Sequence, residues 1–99
     1  MAREIIWSEP ALDDLTQIVE FIARDSQFYA EMTEKKVHEA ARSLRHFPLR
    51  SRVVPEFSDP NVREIFIHSY RLIFEISETR ITIHAVLHSA RQIRDLSSN

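Results

Sequence analysis

The apolar residues of this chain follow two different periods, and the change from one to the other strongly limits the possible folds. Apolar side chains recur at helical spacing in residues 9–24 and again in a second stretch that ends before Pro48. From residue 62 onward they alternate with polar residues in three runs, at 62–67, 70–77 and 80–88, as is typical of strands. A strand-like run at residues 3–7 precedes the helices, so the predicted element order is β-α-α-β-β-β.

The two predicted helices follow one another instead of alternating with the strands. This order is typical of the α+β class, and it predicts a helical hairpin packed on a small, largely antiparallel twisted sheet. Ser8 and Ser26 stand where helix N-caps are expected, and residues 48–61 hold three of the four prolines and are predicted to form a loop. A chain of 99 residues suits one hydrophobic core, so a single domain over residues 1–99 is expected.

The alternation also assigns residues to the two faces of the sheet. If two-residue turns at 68–69 and 78–79 join the last three strands, one face is apolar and should lie under the helices. Its predicted members are Ile65, Ile67, Tyr70, Leu72, Phe74, Ile76, Ile81, Ile83, Ala85 and Leu87. The opposite, outer face would carry Glu64, Phe66, Arg71, Ile73, Glu75, Thr82, His84, Val86 and His88. Apolar residues among charges on this outer face indicate a docking surface for a partner protein, or a cover formed by the C-terminal tail.

Charge and composition exclude several classes of function. The net charge is −2 and only two of the thirteen cationic residues are lysines, so the chain lacks the positive excess of a general nucleic-acid binder. There are no cysteines, which excludes disulfides and thiolate chemistry. The N-terminus has no signal-peptide pattern and no apolar run approaches the ~20 residues of a membrane span, so a cytoplasmic location is expected.

Several stretches of the sequence, taken in their order and spacing, resemble one family. They are WSEPALDDL at 7–15, LRHFP at 44–48, RVVPEF at 52–57, VREI at 62–65, SYRLIF at 69–74 and VLHSAR at 86–91. On these stretches the chain resembles the ParE-like toxins of the RelE/ParE superfamily from about residue 4 to residue 94. Members of that family usually have glycine near positions 51 and 69, whereas this chain has Ser51 and a turn formed by His68 and Ser69.

The resemblance implies the toxin component of a type II toxin–antitoxin system. It implies a ParD-like antitoxin that combines a ribbon-helix-helix DNA-binding dimer with a C-terminal segment wrapped around the toxin in a hetero-oligomer. Free toxin is then expected to poison DNA gyrase and block replication. Operator DNA would be contacted only through the antitoxin, and no membrane partner is implied.

Two sets of binding residues are predicted on this basis. A disordered antitoxin tail that folds on the toxin should bury apolar anchors and pair its acidic residues with arginines. The predicted antitoxin-binding residues are Leu15, Val19, Met32, Phe66, Arg71, Ile73 and Val86. Because the C-terminal region of the family is associated with toxicity, the predicted target-facing residues are His88, Arg91 and Arg94.

The alternative is a ribosome-dependent mRNA endoribonuclease of the RelE type. Attack of a ribose 2′-hydroxyl needs a base, an acid and cationic stabilisation of the phosphate. In that case Glu64 would be the base, Arg71 the phosphate ligand and His88 the acid or base. The net charge of −2 argues against this alternative, because binding in the ribosomal A site favours a strongly basic surface. The gyrase hypothesis is therefore preferred. It assigns no catalytic residues to this chain.

No cofactor and no metal are predicted. His84 and His88 stand two positions apart in a predicted strand and could in principle ligate a metal together. No third ligand has suitable spacing in the sequence, which argues against such a site.

Overall fold

A computed structural model describes residues 2–89 of the chain. It confirms the predicted α+β fold class and adds two short elements to the predicted order. The elements are β1 (Glu4–Trp7), α1 (Glu9–Ala23), α2 (Gln27–Ser43), a 3-10 turn (Pro48–Arg50), β2 (Arg52–Val53), β3 (Val62–Ile67), β4 (Tyr70–Ile76) and β5 (Arg80–His88).

The helices begin where the sequence predicts. The Ser8 hydroxyl accepts a hydrogen bond from the Ala11 N–H, and the Ser26 hydroxyl accepts one from the Tyr29 N–H, both at 3.2 Å. Each cap satisfies one of the N–H groups that an α-helix leaves without a partner in its first turn. The two helices contact each other along the hairpin, and α1 also packs on β5. Within residues 2–89 no helix is both long enough and apolar enough to cross a bilayer.

The sheet has five strands in the order β1-β5-β4-β3-β2. β1 runs parallel to β5, and the other neighbouring strands are antiparallel. The main core lies between the helical hairpin and one face of this sheet. Its buried members are Ala11, Leu15, Val37, Ala41, Leu44, Ile67, Leu72, Phe74, Ile76, Ile81 and Ile83.

A β-bulge in β5 corrects the predicted faces of that strand. Ile73 pairs with Ala85, but the next residue of β4, Phe74, pairs with Ile83, so His84 is the extra residue. Since side chains alternate with a period of two, one extra residue moves every later side chain to the opposite face. The predicted helix-side placement of Ala85 and Leu87 is therefore wrong.

The same bulge corrects two residues that were predicted on the outer face. Val86 pairs with Leu72, and His88 pairs with Tyr70, so both lie on the side of the helices. The backbone N–H of Val86 donates to the Asp14 carboxylate of α1 at 3.0 Å, which fixes this end of β5 under the hairpin. The predicted outer-face positions of Val86 and His88 are therefore wrong.

The apolar part of the outer face is covered by the chain's own loop after β2. Val54 is fully buried there and packs with Ile73, Ala85 and Leu87 in a second, smaller cluster. Its N–H donates to the Val62 carbonyl at 3.0 Å, which ties the loop to β3. This cover accounts for Ile73, which the sequence assigned to a surface for a partner or for the C-terminal tail, whereas Phe66 stays exposed.

The turn between β3 and β4 has the predicted length of two residues, since Ile67 pairs with Tyr70. His68 has a φ of 53°, the only positive φ within the described residues. Two-residue hairpin turns with a positive φ at the first turn residue usually have glycine there. This chain has no glycine, so a histidine adopts the left-handed conformation instead.

Candidate functional site

Four charged side chains form a network on the outer face of the sheet. Arg71 of β4 donates from Nε to Glu64 Oε1 of β3 at 2.8 Å, and its Nη2 lies 2.6 Å from the same oxygen. The guanidinium also donates to both carboxylate oxygens of Glu56, in the loop after β2, at 3.2 and 3.1 Å. Arg52 of β2 lies with its Nε 3.0 Å from Glu64 Oε2. Two arginines and two glutamates therefore neutralise one another.

Strand pairing brings this network together. Arg52 lies directly opposite Glu64 across β2 and β3. Phe66 lies opposite Arg71 across β3 and β4, so Glu64 and Arg71 are diagonal neighbours on one face. The fourth member, Glu56, arrives with the loop that Val54 anchors over the sheet. Arg63 also holds this loop, because its side chain donates to the carbonyls of Pro60 and Ser51.

The centre of the network is buried. Glu64 and Arg71 are 1% and 5% exposed, and they are the only buried polar or charged residues within residues 2–89. Burial acts to lower the pKa of Arg71, but hydrogen bonds and charges from Glu56 and Glu64 outweigh it and raise that pKa. Arg71 is therefore a permanent cation, and its charge is neutralised within the protein by Glu56 and Glu64.

One side of the network opens into a shallow depression on the outer face. Its rim includes Phe66, which is 51% exposed, and Arg52, whose guanidinium carbon lies 5.9 Å from the centre of that ring. An exposed aromatic ring beside an arginine suits contact with a partner protein. The buried, paired carboxylate of Glu64 does not suit proton transfer to a bound substrate.

The predicted antitoxin-binding residues lie on two different surfaces and at different depths. Phe66 is exposed on the outer face, and Met32 is exposed on α2 at 38%. Val19 of α1 is half-buried at the edge of the main core. The other four predicted residues are buried: Leu15, Arg71, Ile73 and Val86.

The residues of the alternative endoribonuclease site are only partly brought together. Glu64 and Arg71 are in contact on the outer face. His88 lies on the opposite face of the sheet, with its ring centre 5.8 Å from that of Tyr70. Their separation follows from the bulge at His84, which sequence alternation alone does not reveal.

The two candidate metal ligands are also separated. The Nε2 of His84 lies 2.9 Å from Glu75 Oε1, whereas His88 contacts Tyr70 on the side of the helices. Within residues 2–89 no group of three or more histidine, cysteine, aspartate or glutamate side chains is arranged to hold a metal ion.

One predicted target-facing residue lies in a groove between α1 and the end of β5. His88 lines this groove together with Tyr70, Ile18 and Phe21, and Phe21 is 64% exposed. The other two predicted target-facing residues, Arg91 and Arg94, lie outside the described residues. Phe21 was missed in the sequence, although its position off the apolar stripe of α1 was a signal that it faces outward.

The comparisons with known proteins agree with this architecture. The family model described as "ParE toxin of type II toxin-antitoxin system, parDE" matches residues 5–93. A structure titled "Chromosomal ParDE TA system from P. aeruginosa" is similar, with a TM-score of 0.72 and 17% identity over 88% of this chain and 96% of that chain. The YoeB dimer from Staphylococcus aureus is similar with a TM-score of 0.61 and 14% identity over 89% of this chain and 98% of that one. At these identities the structures show the fold alone. A search of curated protein sequences found no match.

Proposed function

This chain belongs to the ParE toxin family of type II toxin–antitoxin systems, and from that premise we propose that a ParD-like antitoxin neutralises it and that the free toxin poisons DNA gyrase. The observation that carries the proposal is the family match over residues 5–93. The geometry of the outer face and of the helices supports it in two ways, one for the antitoxin and one for the target.

The antitoxin part of the proposal is supported by apolar side chains that the toxin leaves exposed. The helical hairpin exposes Leu12, Phe21, Phe28, Tyr29 and Met32, and the outer face exposes Phe66. Soluble proteins rarely leave large contiguous apolar patches open unless a partner covers them. A segment that folds on binding can cover separate patches on two sides of a small domain, because it is extended before it binds.

The buried network changes the role proposed for Arg71. Its charge is already neutralised by Glu56 and Glu64, so an acidic antitoxin residue has little to gain from it. We propose that Phe66 and Met32 contact the antitoxin directly, with Val19 at the margin of the contact. Arg71 and Ile73 then act indirectly, because they hold the strands and the loop beneath Phe66 in place.

The gyrase part of the proposal is supported by the arrangement of the charged residues. An RNA-cleaving site needs a base, an acid and a cation around one phosphate. Here Glu64 and Arg71 are paired with each other, while His88 lies on the opposite face of the sheet. The net charge of −2 also disfavours binding to ribosomal RNA. His88 instead lines the groove beside Phe21, which we propose as part of the gyrase-facing surface.

Two assays run in parallel test the target. Purified toxin is added to DNA gyrase with supercoiled plasmid and ATP, and to translating ribosomes with mRNA. We expect cleaved plasmid to accumulate while the mRNA stays intact, and we expect the product of a neighbouring ribbon-helix-helix gene to suppress the effect. Cleaved mRNA with unaffected gyrase would replace the proposal with the endoribonuclease alternative.

A matched pair of variants sharpens the gyrase assay. Phe21→Ser removes an exposed ring from the groove beside His88, whereas Phe28→Ser removes a similarly exposed ring from the start of α2. If the groove faces gyrase, Phe21→Ser should reduce plasmid cleavage and Phe28→Ser should leave it close to the unmodified level. Equal effects of the two variants would remove the groove from the proposed target surface.

A further inference from the structure

The edge of the sheet formed by β2 leaves one residue with unpaired backbone groups. β2 pairs with β3 alone, so its other side is open. The Val54 N–H donates to the Val62 carbonyl of β3 at 3.0 Å. Because hydrogen-bonding direction alternates along a strand, the N–H and the carbonyl of Val53 point away from β3. Among the described residues, neither of these two groups has a hydrogen-bond partner.

The residues on both sides of Val53 restrict what can pair with this edge. Positions 51 and 55 are the next ones that face outward. The Ser51 N–H already donates to the Pro48 carbonyl at 3.3 Å, and Pro55 has no N–H. A long partner strand would therefore find both groups available at Val53 alone within this stretch. A second copy of the chain in antiparallel orientation needs no more than that, because each Val53 N–H then donates to the Val53 carbonyl of the other copy.

Large apolar side chains surround this edge and face solvent. They are Phe47, Leu49, Val53 and Phe57, and they are 38% to 68% exposed. At roughly 200 Å² for a fully exposed phenylalanine and less for leucine and valine, they offer about 400 Å² of apolar surface. A standard interface buries about 800 Å² per partner, of which roughly 500 Å² is apolar. The patch is therefore large enough for a weak dimer, though not for a permanent one.

The charged side chains beside this edge already have contacts within their own copy. Arg52 and Glu56 belong to the ion network of the outer face. The guanidinium carbon of Arg50 lies 4.1 Å from the centre of the Phe47 ring. A strongly charged ligand, such as a nucleic acid, would have to compete with these contacts. A mainly apolar surface with paired charges suits a surface of the same kind, which a second copy provides.

We propose that two copies of this chain associate through β2, with Val53 on the two-fold axis. The two five-stranded sheets then join into one sheet of ten strands, and apolar side chains of both copies meet beside the axis. β3 and β4 separate β5 from this edge, so the groove beside His88 stays accessible in the dimer. The inference goes beyond the proposed function, because it concerns the free toxin whatever that toxin acts on.

One engineered cysteine tests the axis directly, because the chain has no cysteine of its own. In the proposed pair the two Val53 Cα atoms lie about 5.5 Å apart, within the range that a disulfide spans. We expect Val53→Cys to form a disulfide-linked dimer under mild oxidation. Met32→Cys is the matched control, since Met32 and Val53 are both 38% exposed, and it should be linked about tenfold more slowly. Equal rates for the two variants would overturn the proposal.

Sedimentation equilibrium of the full chain measures the association itself. The weight-average mass should rise from 11.7 kDa toward twice that value between about 10 μM and 1 mM. Val53→Lys places a charge on the axis and should keep the mass near 11.7 kDa over the same range. Met32→Lys is the control and should associate as the unmodified chain does. An unchanged circular dichroism spectrum of Val53→Lys shows that the variant is folded.

Amide signals of the ¹⁵N-labelled chain distinguish this edge from other surfaces. Raising the concentration should shift the Val53 amide signal and slow its hydrogen exchange, whereas the Phe28 amide at the start of α2 should not change. The proposal is overturned if the chain stays monomeric at about 1 mM. It is also overturned if the chain associates while the Val53 signal stays in place. That second result would assign the association to another surface, such as the exposed rings of the helical hairpin.

Discussion

Replacing Arg71 tests whether the buried ion network stabilises the outer face. The Glu64 side chain is 0% exposed and that of Arg71 is 7% exposed. In Arg71→Met, Glu64 keeps only Arg52, whose side chain is 61% exposed, and Glu56 loses its two hydrogen bonds to Arg71. A buried charge that loses its partner typically costs about 3–5 kcal/mol. We therefore expect Arg71→Met to lower the free energy of unfolding by about that amount.

A double variant distinguishes the cost of leaving Glu64 without Arg71 from the cost of removing both charges. In Arg71→Met Glu64→Leu both buried charges become apolar, and such replacements are often neutral or stabilising. We expect the double variant to recover most of the stability that Arg71→Met loses. Arg52→Gln is the matched control, because it changes the exposed partner of the same carboxylate and should cost less than about 1 kcal/mol.

Urea unfolding, followed by Trp7 fluorescence and by circular dichroism, measures all three effects. The dependence of the free energy on urea should be the same in all variants, which shows that the midpoints report stability. If Arg71→Met costs less than about 1 kcal/mol, Glu64 is better solvated than its burial indicates. If the double variant is as unstable as Arg71→Met, the loss comes from packing, and the electrostatic explanation is refuted.

Three further predictions concern the exposed ring, the turn and the loop cover. Phe66→Ala should weaken antitoxin binding about tenfold or more in calorimetry. Phe57→Ala, which truncates an exposed ring in the loop after β2, is the control and should change binding less than twofold. Equal effects of the two variants would contradict the proposed contact. His68→Gly should stabilise the fold by about 1 kcal/mol and raise the Tm by a few degrees, because glycine adopts a positive φ without the strain of a Cβ. Ser69→Gly is the control and should not raise the Tm. Val54→Ala should cost about 1–3 kcal/mol in urea unfolding, since Val54 is fully buried over the second cluster; a cost near zero would mean that the loop does not cover the outer face in solution.

Local signals in the sequence were sufficient for most of the secondary structure. Ser8 and Ser26 cap the helices as predicted, and the strands β3, β4 and β5 lie where the alternation placed them. β2 was missed because two residues, Arg52 and Val53, are too short to carry a periodic pattern. Its pairing with β3 depends on the loop that follows it, which no local signal describes.

The bulge in β5 could not be predicted for a different reason. After Ile83 the strand continues through His84 into Ala85, Val86 and Leu87, three consecutive apolar residues that are all buried. A run that is apolar on both faces does not say which residue faces which side, so a one-residue insertion leaves no trace in it. The common face of Glu64 and Arg71 was predicted correctly, but their burial depends on Val54 and Glu56, which come from a distant loop.

The pairing of β1 with β5 joins the first described strand to the last one within residues 2–89, since Glu4 lies beside Arg80. During synthesis, the ribosome must therefore deliver residue 80 and those after it before the first strand can find its neighbour, and until then α1 lacks β5, the strand on which it packs. We therefore expect a chain that ends before β5 to be unstable and open to proteolysis, because β5 lies between β1 and β4 in the sheet. The topology thus ties the folding of the toxin to the synthesis of β5.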